Sequence, residues 1–210
     1  MDKQFAIFDM DGTLIDSMIF WKNLASEYLS SKGVKQIPED ILERIKPMTM
    51  SESAELFQRE FSLSGDPEAE MNAMMDAHYQ NDIPLKPGVW KHLQLLRSRG
   101  VRMCVASATA ALLMEACLKR LGVRDYFEFL LSCETVGAGK RSPLVYQESA
   151  RRLNAAPAEI AVYEDALYAV QTAKDAGYYV VGVYDDSAAK NWQTIEHVAD
   201  EVILNWEEII

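Results

Sequence analysis

The sequence is short of cysteine, histidine and basic residues, and it has no long hydrophobic run. Three cysteines, Cys104, Cys117 and Cys133, are too few and odd in number for a disulfide framework, and no CxxC or CxxxxH spacing joins them. They predict reduced, mostly buried thiols in a cytoplasmic protein. The apolar run Phe5 to Phe8 is too short for a signal-peptide core, and the longest apolar stretch, Tyr178 to Tyr184, is far short of a membrane span. His78, His92 and His197 show no metal spacing and are expected to be structural or exposed. Lys and Arg total 21 against 32 Asp and Glu, a formal charge of −11. Such a chain is repelled by phosphate backbones and anionic membranes, so neither nucleic acid nor a membrane is expected as a partner. A local site can still oppose that field and take a small phosphorylated ligand.

What is present is an ordinary globular composition. The 210 residues are 49% hydrophobic and 25% charged, which excludes disorder and collagen-like repeats and fits one core with or without an inserted subdomain. Short continuous apolar runs recur at Phe5 to Phe8, Val101 to Ala106, Phe127 to Leu131, Ile160 to Tyr163, Tyr178 to Val183 and Val202 to Leu204. Runs without alternation mark strands buried on both faces, as in helix-covered parallel sheets. Helical patterns lie between them: Gly88 to Arg99, Ala110 to Leu121, Pro143 to Leu153 with Ser142 as N-cap, and Asp165 or Ala166 to Ala176. The β-α-β-α order predicts an α/β fold with a doubly wound, Rossmann-like parallel sheet.

One segment breaks this rhythm. From about Ser17 to Pro84 the periodicity is helical, with Pro38 and Asp66-Pro67 as helix openers. The division expected is an α/β core over 1–16 and 85–210 and an inserted helical subdomain over 17–84. The insert emerges at the C-terminal end of the first strand, where open α/β sheets bind ligands.

The first strand ends in Asp9-Met10-Asp11-Gly12-Thr13-Leu14. Two carboxylates two residues apart at the mouth of a buried strand raise one another's pKa unless a cation intervenes, and hard carboxylate oxygens favour Mg²⁺. Gly12 comes too early for a calcium loop. The second strand ends at Ser107-Ala108-Thr109. Gly137-Ala138-Gly139-Lys140-Arg141-Ser142 follows the third and is not a P-loop, because Glu134 stands at the first glycine position and Arg141 follows the lysine. The fourth strand ends at Tyr163-Glu164-Asp165. Each motif alone has an ordinary reading: an Asp-Gly turn, a Ser cap, a solvated lysine, an Asp N-cap. Parallel strands, however, bring Asp9, Asp11, Ser107, Lys140, Glu164 and Asp165 to one edge, and together they form an inventory for phosphoryl transfer.

These motifs, in this order, resemble the haloacid dehalogenase superfamily with a C1-type helical cap, in particular its β-phosphoglucomutase-like and phosphoglycolate phosphatase-like members. Asp9 to Ser17 is similar to the first motif, DxDGTLxDS; Ser107 resembles the second, Lys140 the third, and Glu164-Asp165 with Ala173 and Ala176-Gly177 the fourth. The resemblance implies a Mg²⁺-dependent phosphatase acting on a small phosphorylated metabolite. Asp9 is then the nucleophile that forms an aspartyl-phosphate, and Asp11 the general acid and base. Ser107 and Lys140 hold the phosphoryl oxygens, with Thr13, Ala108 and Thr109 as further phosphate or substrate contacts. The metal falls to Asp9, the Asp11 backbone carbonyl, Asp165 and nearby Glu164. The presence of Asp11 argues for phosphate ester chemistry, since dehalogenases lack that acid and phosphonate-cleaving relatives carry Ala. A monomer or small homo-oligomer is expected.

Two alternatives remain. One is a sugar phosphomutase, which Ala106-Ser107-Ala108-Thr109 resembles. Against it, Trp21 stands where such enzymes carry His, Ala110-Ala111 replaces Lys-Asn, and 46–53 lacks the Gly-x-x-Arg that grips a second phosphate, with Lys46 as a partial substitute. The other is a noncatalytic phosphate- or metal-binding regulator. Within the cap, Met48, Met50, Met71, Met74 and Met75 are expected mainly to pack helices, and Trp21, Tyr79 and Thr109 are candidates for facing the cleft.

Overall fold

The computed structural model describes residues 3–45, 48 and 50–208. Lys46, together with Pro47 and Thr49, lies outside the described residues. The chain runs from β1 (Phe5–Phe8) through four helices, α1 (Met18–Ser31), α2 (Glu39–Ile45), α3 (Met50–Phe61) and α4 (Pro67–Asn81). It continues with α5 (Val89–Ser98), β2 (Arg102–Ser107), α6 (Ala111–Arg120), β3 (Leu130–Ser132), α7 (Cys133–Val136) and α8 (Leu144–Leu153). The last elements are β4 (Ile160–Glu164), α9 (Leu167–Asp175), β5 (Tyr179–Val183), α10 (Trp192–Val198) and β6 (Glu201–Ile203). Two compact units result: Met1–Ser17 with Ile83–Ile210, and Met18–Asp82.

The first unit is built on a six-stranded parallel sheet in the order β3-β2-β1-β4-β5-β6. The non-alternating apolar runs have the expected cause, because both faces are covered. Ile7 stands beside Cys104 and Val162, and Val162 beside Val180; all four are buried in one cluster with Tyr146, Val170 and Ile195. One residue on, Phe8 stands beside Val105 and Tyr163, and its ring stacks on Tyr163 with centroids 4.2 Å apart. Each fully buried side chain of this size contributes roughly 1.5–3 kcal/mol. The chain leaves β1 for β2 on one side, while β4 lies on the other. The switch in strand order therefore opens a crevice at the C-terminal ends of β1 and β4.

Among the described residues, the second unit contains helices and no strand. Asp66 caps α4 by accepting from the Ala69 N–H at 3.0 Å, and Pro67 takes the first turn, where a missing N–H costs nothing. Leu24, Tyr28, Met71, Met75 and Tyr79 form its interior. Met48, Met50 and Met71 help to line a cavity of about 560 Å³ inside this unit. Trp21 donates its indole N–H to the Tyr79 hydroxyl at 3.2 Å.

Two caps differ from the sequence reading. Pro143, not Ser142, occupies the N-cap of α8, and no side chain caps that helix. Gly139 to Ser142 instead closes a turn, with the Ser142 N–H on the Gly139 carbonyl at 2.9 Å, and this turn carries Lys140. At α9 the N-cap is Ala166. The Asp165 carboxylate is therefore not spent on capping. Among the described residues no helix is long and apolar enough to cross a membrane.

Candidate active site

The turn after β1 is held by its own backbone. The Met10 carbonyl accepts from the Leu14 and Ile15 N–H groups at 2.9 and 3.0 Å, and the Gly12 N–H donates to the Ile15 carbonyl at 3.0 Å. Gly12 has φ +75°, a conformation that side-chain-bearing residues rarely adopt. The Asp9 N–H still reaches the Tyr163 carbonyl at 2.9 Å, so Asp9 continues the β1–β4 pairing. A second strand of chain braces the turn. The Lys86 N–H donates to the Leu14 carbonyl at 2.9 Å and the Asp16 N–H to the Pro84 carbonyl at 3.0 Å.

Asp9, Lys140, Glu164 and Asp165 are brought together at the ends of β1 and β4, and all are buried. The Lys140 ammonium donates to Asp9 Oδ1 and, at 2.6 Å, to Glu164 Oε1. The same Glu164 oxygen accepts from the Tyr146 hydroxyl at 2.8 Å. Lys140, read alone as a solvated surface lysine, is only 6% exposed. Oxygens of Asp9, Glu164 and Asp165 all lie within 4.8 Å of one another. Burial drives the Asp9 carboxyl well above its usual range; Lys140 opposes that, and Glu164, Asp165 and Asp11 add to it. Burial, then Glu164, lifts the Asp165 carboxyl from 3.8 to about 7. Burial disfavours the charged ammonium of Lys140, but Asp9 and Glu164 outweigh it and its pKa is raised. Three buried carboxylates against the Lys140 ammonium leave surplus negative charge, which a hard divalent cation fits.

Asp11 is held differently. Its Oδ1 accepts from the Ser17 hydroxyl at 2.7 Å, and its Oδ2 from the Thr109 hydroxyl at 2.6 Å and the Ser107 hydroxyl at 3.4 Å. Its carboxylate is not among the three clustered oxygens. Ser107 also accepts from the Thr109 N–H at 3.1 Å, which folds 107–109 into a short hydroxyl-bearing turn. Ala108 is exposed and offers no side-chain polar atom. Thr13 is fully buried, and its hydroxyl has no partner among the described residues.

Sequence reasoning missed two residues here. Ser17 stood inside the quoted first motif but had no role; the buried hydroxyl on Asp11 gives it one. Tyr146 lies on the buried face of α8, where periodicity reads it as core, and its hydroxyl on Glu164 carries no sequence signal. Of the cleft candidates, Thr109 sits on Asp11, while Tyr79 is buried in the helical unit. His92 is buried with Nε2 3.3 Å from the Tyr163 hydroxyl, and burial lowers its pKa to about 4. His197 is exposed.

Comparison with known proteins fits this geometry. A family model described as haloacid dehalogenase-like hydrolase matches residues 4–177. The phosphorylated carbohydrates phosphatase of Thermotoga maritima is 28% identical over 210 residues, covering 95% of both chains. The β-phosphoglucomutase of Bacillus subtilis is 28% identical over 193 residues, covering 84% of this chain and 81% of that one. A crystal structure from Thermotoga maritima, provisionally described as a β-phosphoglucomutase, superimposes with a TM-score of 0.83 at 26% identity, covering 98% of this chain and 96% of that one.

Proposed function

The chain belongs to the haloacid dehalogenase-like hydrolases, and from that premise we propose that it hydrolyses a small-molecule phosphate monoester, with Asp9 as nucleophile and Asp11 as general acid and base. The observation that carries this reading is the buried contact of Lys140 with both Asp9 and Glu164, while Asp11, two residues along the chain from Asp9, accepts from the Ser17 and Thr109 hydroxyls.

Asp9 attacks phosphorus; its oxygen–phosphorus bond forms as the ester oxygen–phosphorus bond breaks, and Asp11 gives the departing alcohol its proton. Water then attacks the aspartyl-phosphate, Asp11 takes that water's proton, and phosphate and free Asp9 are released. Ser107 and Lys140 stand at the same edge as donors for the phosphoryl oxygens, with Thr109 and the turn residues Thr13 and Ala108 beside them. Lys140 also favours the ionised Asp9 carboxylate, opposing burial and its acidic neighbours. Asp9, Asp165 and the Asp11 backbone carbonyl, with Glu164 behind them, are the residues that would hold Mg²⁺. When bound, that ion supplies charge neutralisation between nucleophile and phosphate.

The helical unit is read as a cap that sets substrate choice, and the relative named for phosphorylated carbohydrates favours a sugar phosphate. The three cysteines are buried free thiols, which supports a reducing, cytoplasmic setting. A second reading, a sugar phosphomutase, is favoured by the likeness to the Bacillus subtilis enzyme. Against it stands the lack of any Gly-x-x-Arg element in 46–53.

Turnover of a sugar phosphate in ¹⁸O-water separates the two. Hydrolysis yields inorganic phosphate carrying the label. Transfer to a second hydroxyl yields an unlabelled isomeric sugar phosphate and no free phosphate, an outcome that would replace the hydrolase reading with the mutase.

A further inference from the structure

The turn that carries Asp9 and Asp11 has a support that comes from the far end of the chain. Trp206, on a short 3-10 turn at Trp206–Glu208, is 3% exposed. Its indole N–H donates to the Thr13 carbonyl at 3.1 Å, across 193 residues of sequence. Thr13 is the third residue after Met10, whose carbonyl closes this turn on Leu14 and Ile15. The turn is therefore pinned from inside by Met10 and from outside by Trp206.

The surroundings aim that indole. Its ring lies near Tyr163, with centroids 5.8 Å apart and planes at 24°, and near His92 at 4.9 Å. Tyr163 in turn stacks on Phe8, the residue before Asp9. Behind it the 3-10 turn presses on Gly88. A Cβ at position 88 would stand 2.5 Å from the Trp206 carbonyl carbon and 2.6 Å from the Glu207 nitrogen, closer than atoms can approach. Gly88 also has φ +90°, which glycine tolerates. The backbone of the last turn thus seats directly against the segment that follows the brace at Lys86.

We propose that Trp206 is a positioning residue for the nucleophile turn: its N–H fixes the Thr13 carbonyl and through it the placement of Asp9 and Asp11. A buried indole needs some acceptor whatever the function. What distinguishes this one is that the acceptor belongs to the turn that carries Asp11 and directly follows Asp9. The proposal rests on the reading of Asp9 and Asp11 as the reacting pair, and its test separates the two.

The test is Trp206→Phe, which keeps a flat ring and removes the donor. Loss of one such hydrogen bond is expected to lower kcat for phosphate release by about tenfold, with KM changed less than about twofold. Hydrogen exchange is the second readout. The amides of Leu14 and Ile15 should exchange about tenfold faster in the variant, while the sheet amides of Val105 and Val162 keep their wild-type protection. Uniform loss of protection, unchanged exchange at Leu14 and Ile15, or an unchanged kcat would overturn the proposal. Absence of turnover in the wild type would defeat the hydrolase reading, and the exchange comparison would still decide the role of Trp206. If Trp206→Phe does not fold, the wild-type indole protons decide it. The Trp206 N–H should exchange far more slowly than that of Trp90, which is 48% exposed, and equal rates would refute the contact.

Discussion

The Ser17 hydroxyl donates to Asp11 Oδ1 at 2.7 Å, tying the last residue of the first motif to its second carboxylate across six residues. Because Thr109 holds the other oxygen from the end of β2, the plane of the Asp11 carboxylate is set by two separate elements. Ser17→Ala should lower kcat by about tenfold and leave KM for substrate nearly unchanged, since the lost bond, about 1 kcal/mol or somewhat more to a charged acceptor, orients a proton-transfer group rather than the substrate. Steady-state kinetics at neutral pH checks this; a change confined to KM would contradict it.

Lys140 and Asp165 should have opposite effects on the metal-free fold. Lys140→Met leaves the Asp9 and Glu164 carboxylates buried without their cation, and breaking such a pair typically costs about 3–5 kcal/mol. Asp165 has its carboxyl raised from 3.8 to about 7, by burial first and then by Glu164. A raised carboxyl stabilises the fold fully below its unfolded value and loses that contribution as pH rises through about 7. In chelator near pH 8, Asp165→Asn should therefore unfold no earlier than wild type, and Lys140→Met well before it. Mg²⁺ should raise the melting temperature of the wild type and fail to raise that of Asp165→Asn. Thermal melts with and without Mg²⁺ read both; a Lys140→Met melt equal to wild type in chelator contradicts the account.

His78 gives the helical unit its own pH dependence. Nδ1 lies 2.8 Å from Asp82 Oδ2 and Nε2 lies 3.0 Å from Glu27 Oε2. A carboxylate on each nitrogen favours the imidazolium form. Burial alone would lower its pKa, but the bonds to Asp82 and Glu27 outweigh that and raise it above 6.5. The contribution is complete below 6.5 and is lost as pH rises through the higher folded value. Both carboxylates are largely exposed, so it amounts to about 0.5 kcal/mol at most. Denaturant unfolding of wild type and His78→Gln should differ at about pH 6 and converge by about pH 9; a constant difference across that range contradicts it.

Much of this was legible in the chain, for identifiable reasons. Strands such as Ile160–Glu164 are buried on both faces, so their apolar runs stand out without alternation. Asp9, Asp11, Glu164 and Asp165 sit at strand ends, and parallel topology alone carries them to one edge. What was not legible depends on contacts between distant residues. Tyr146 reads as core on α8 until its hydroxyl is found on Glu164, and Trp206 reads as a terminal hydrophobic until its N–H is found on Thr13. Lys86 carried no motif, yet it donates to Asp185 Oδ2 at 2.6 Å at the end of β5 and braces Leu14 by its backbone. Ser142 was the better N-cap by residue type, but the turn that buries Lys140 uses it instead.

The most direct test of the central claim is Mg²⁺-dependent phosphate release from a panel of small phosphate monoesters, weighted toward sugar phosphates. Wild type is compared with Asp9→Asn, each with Mg²⁺ and with chelator. The account predicts release from a few members by wild type with Mg²⁺, and loss of at least about a thousandfold in both chelator and Asp9→Asn. Equal release by Asp9→Asn would contradict it.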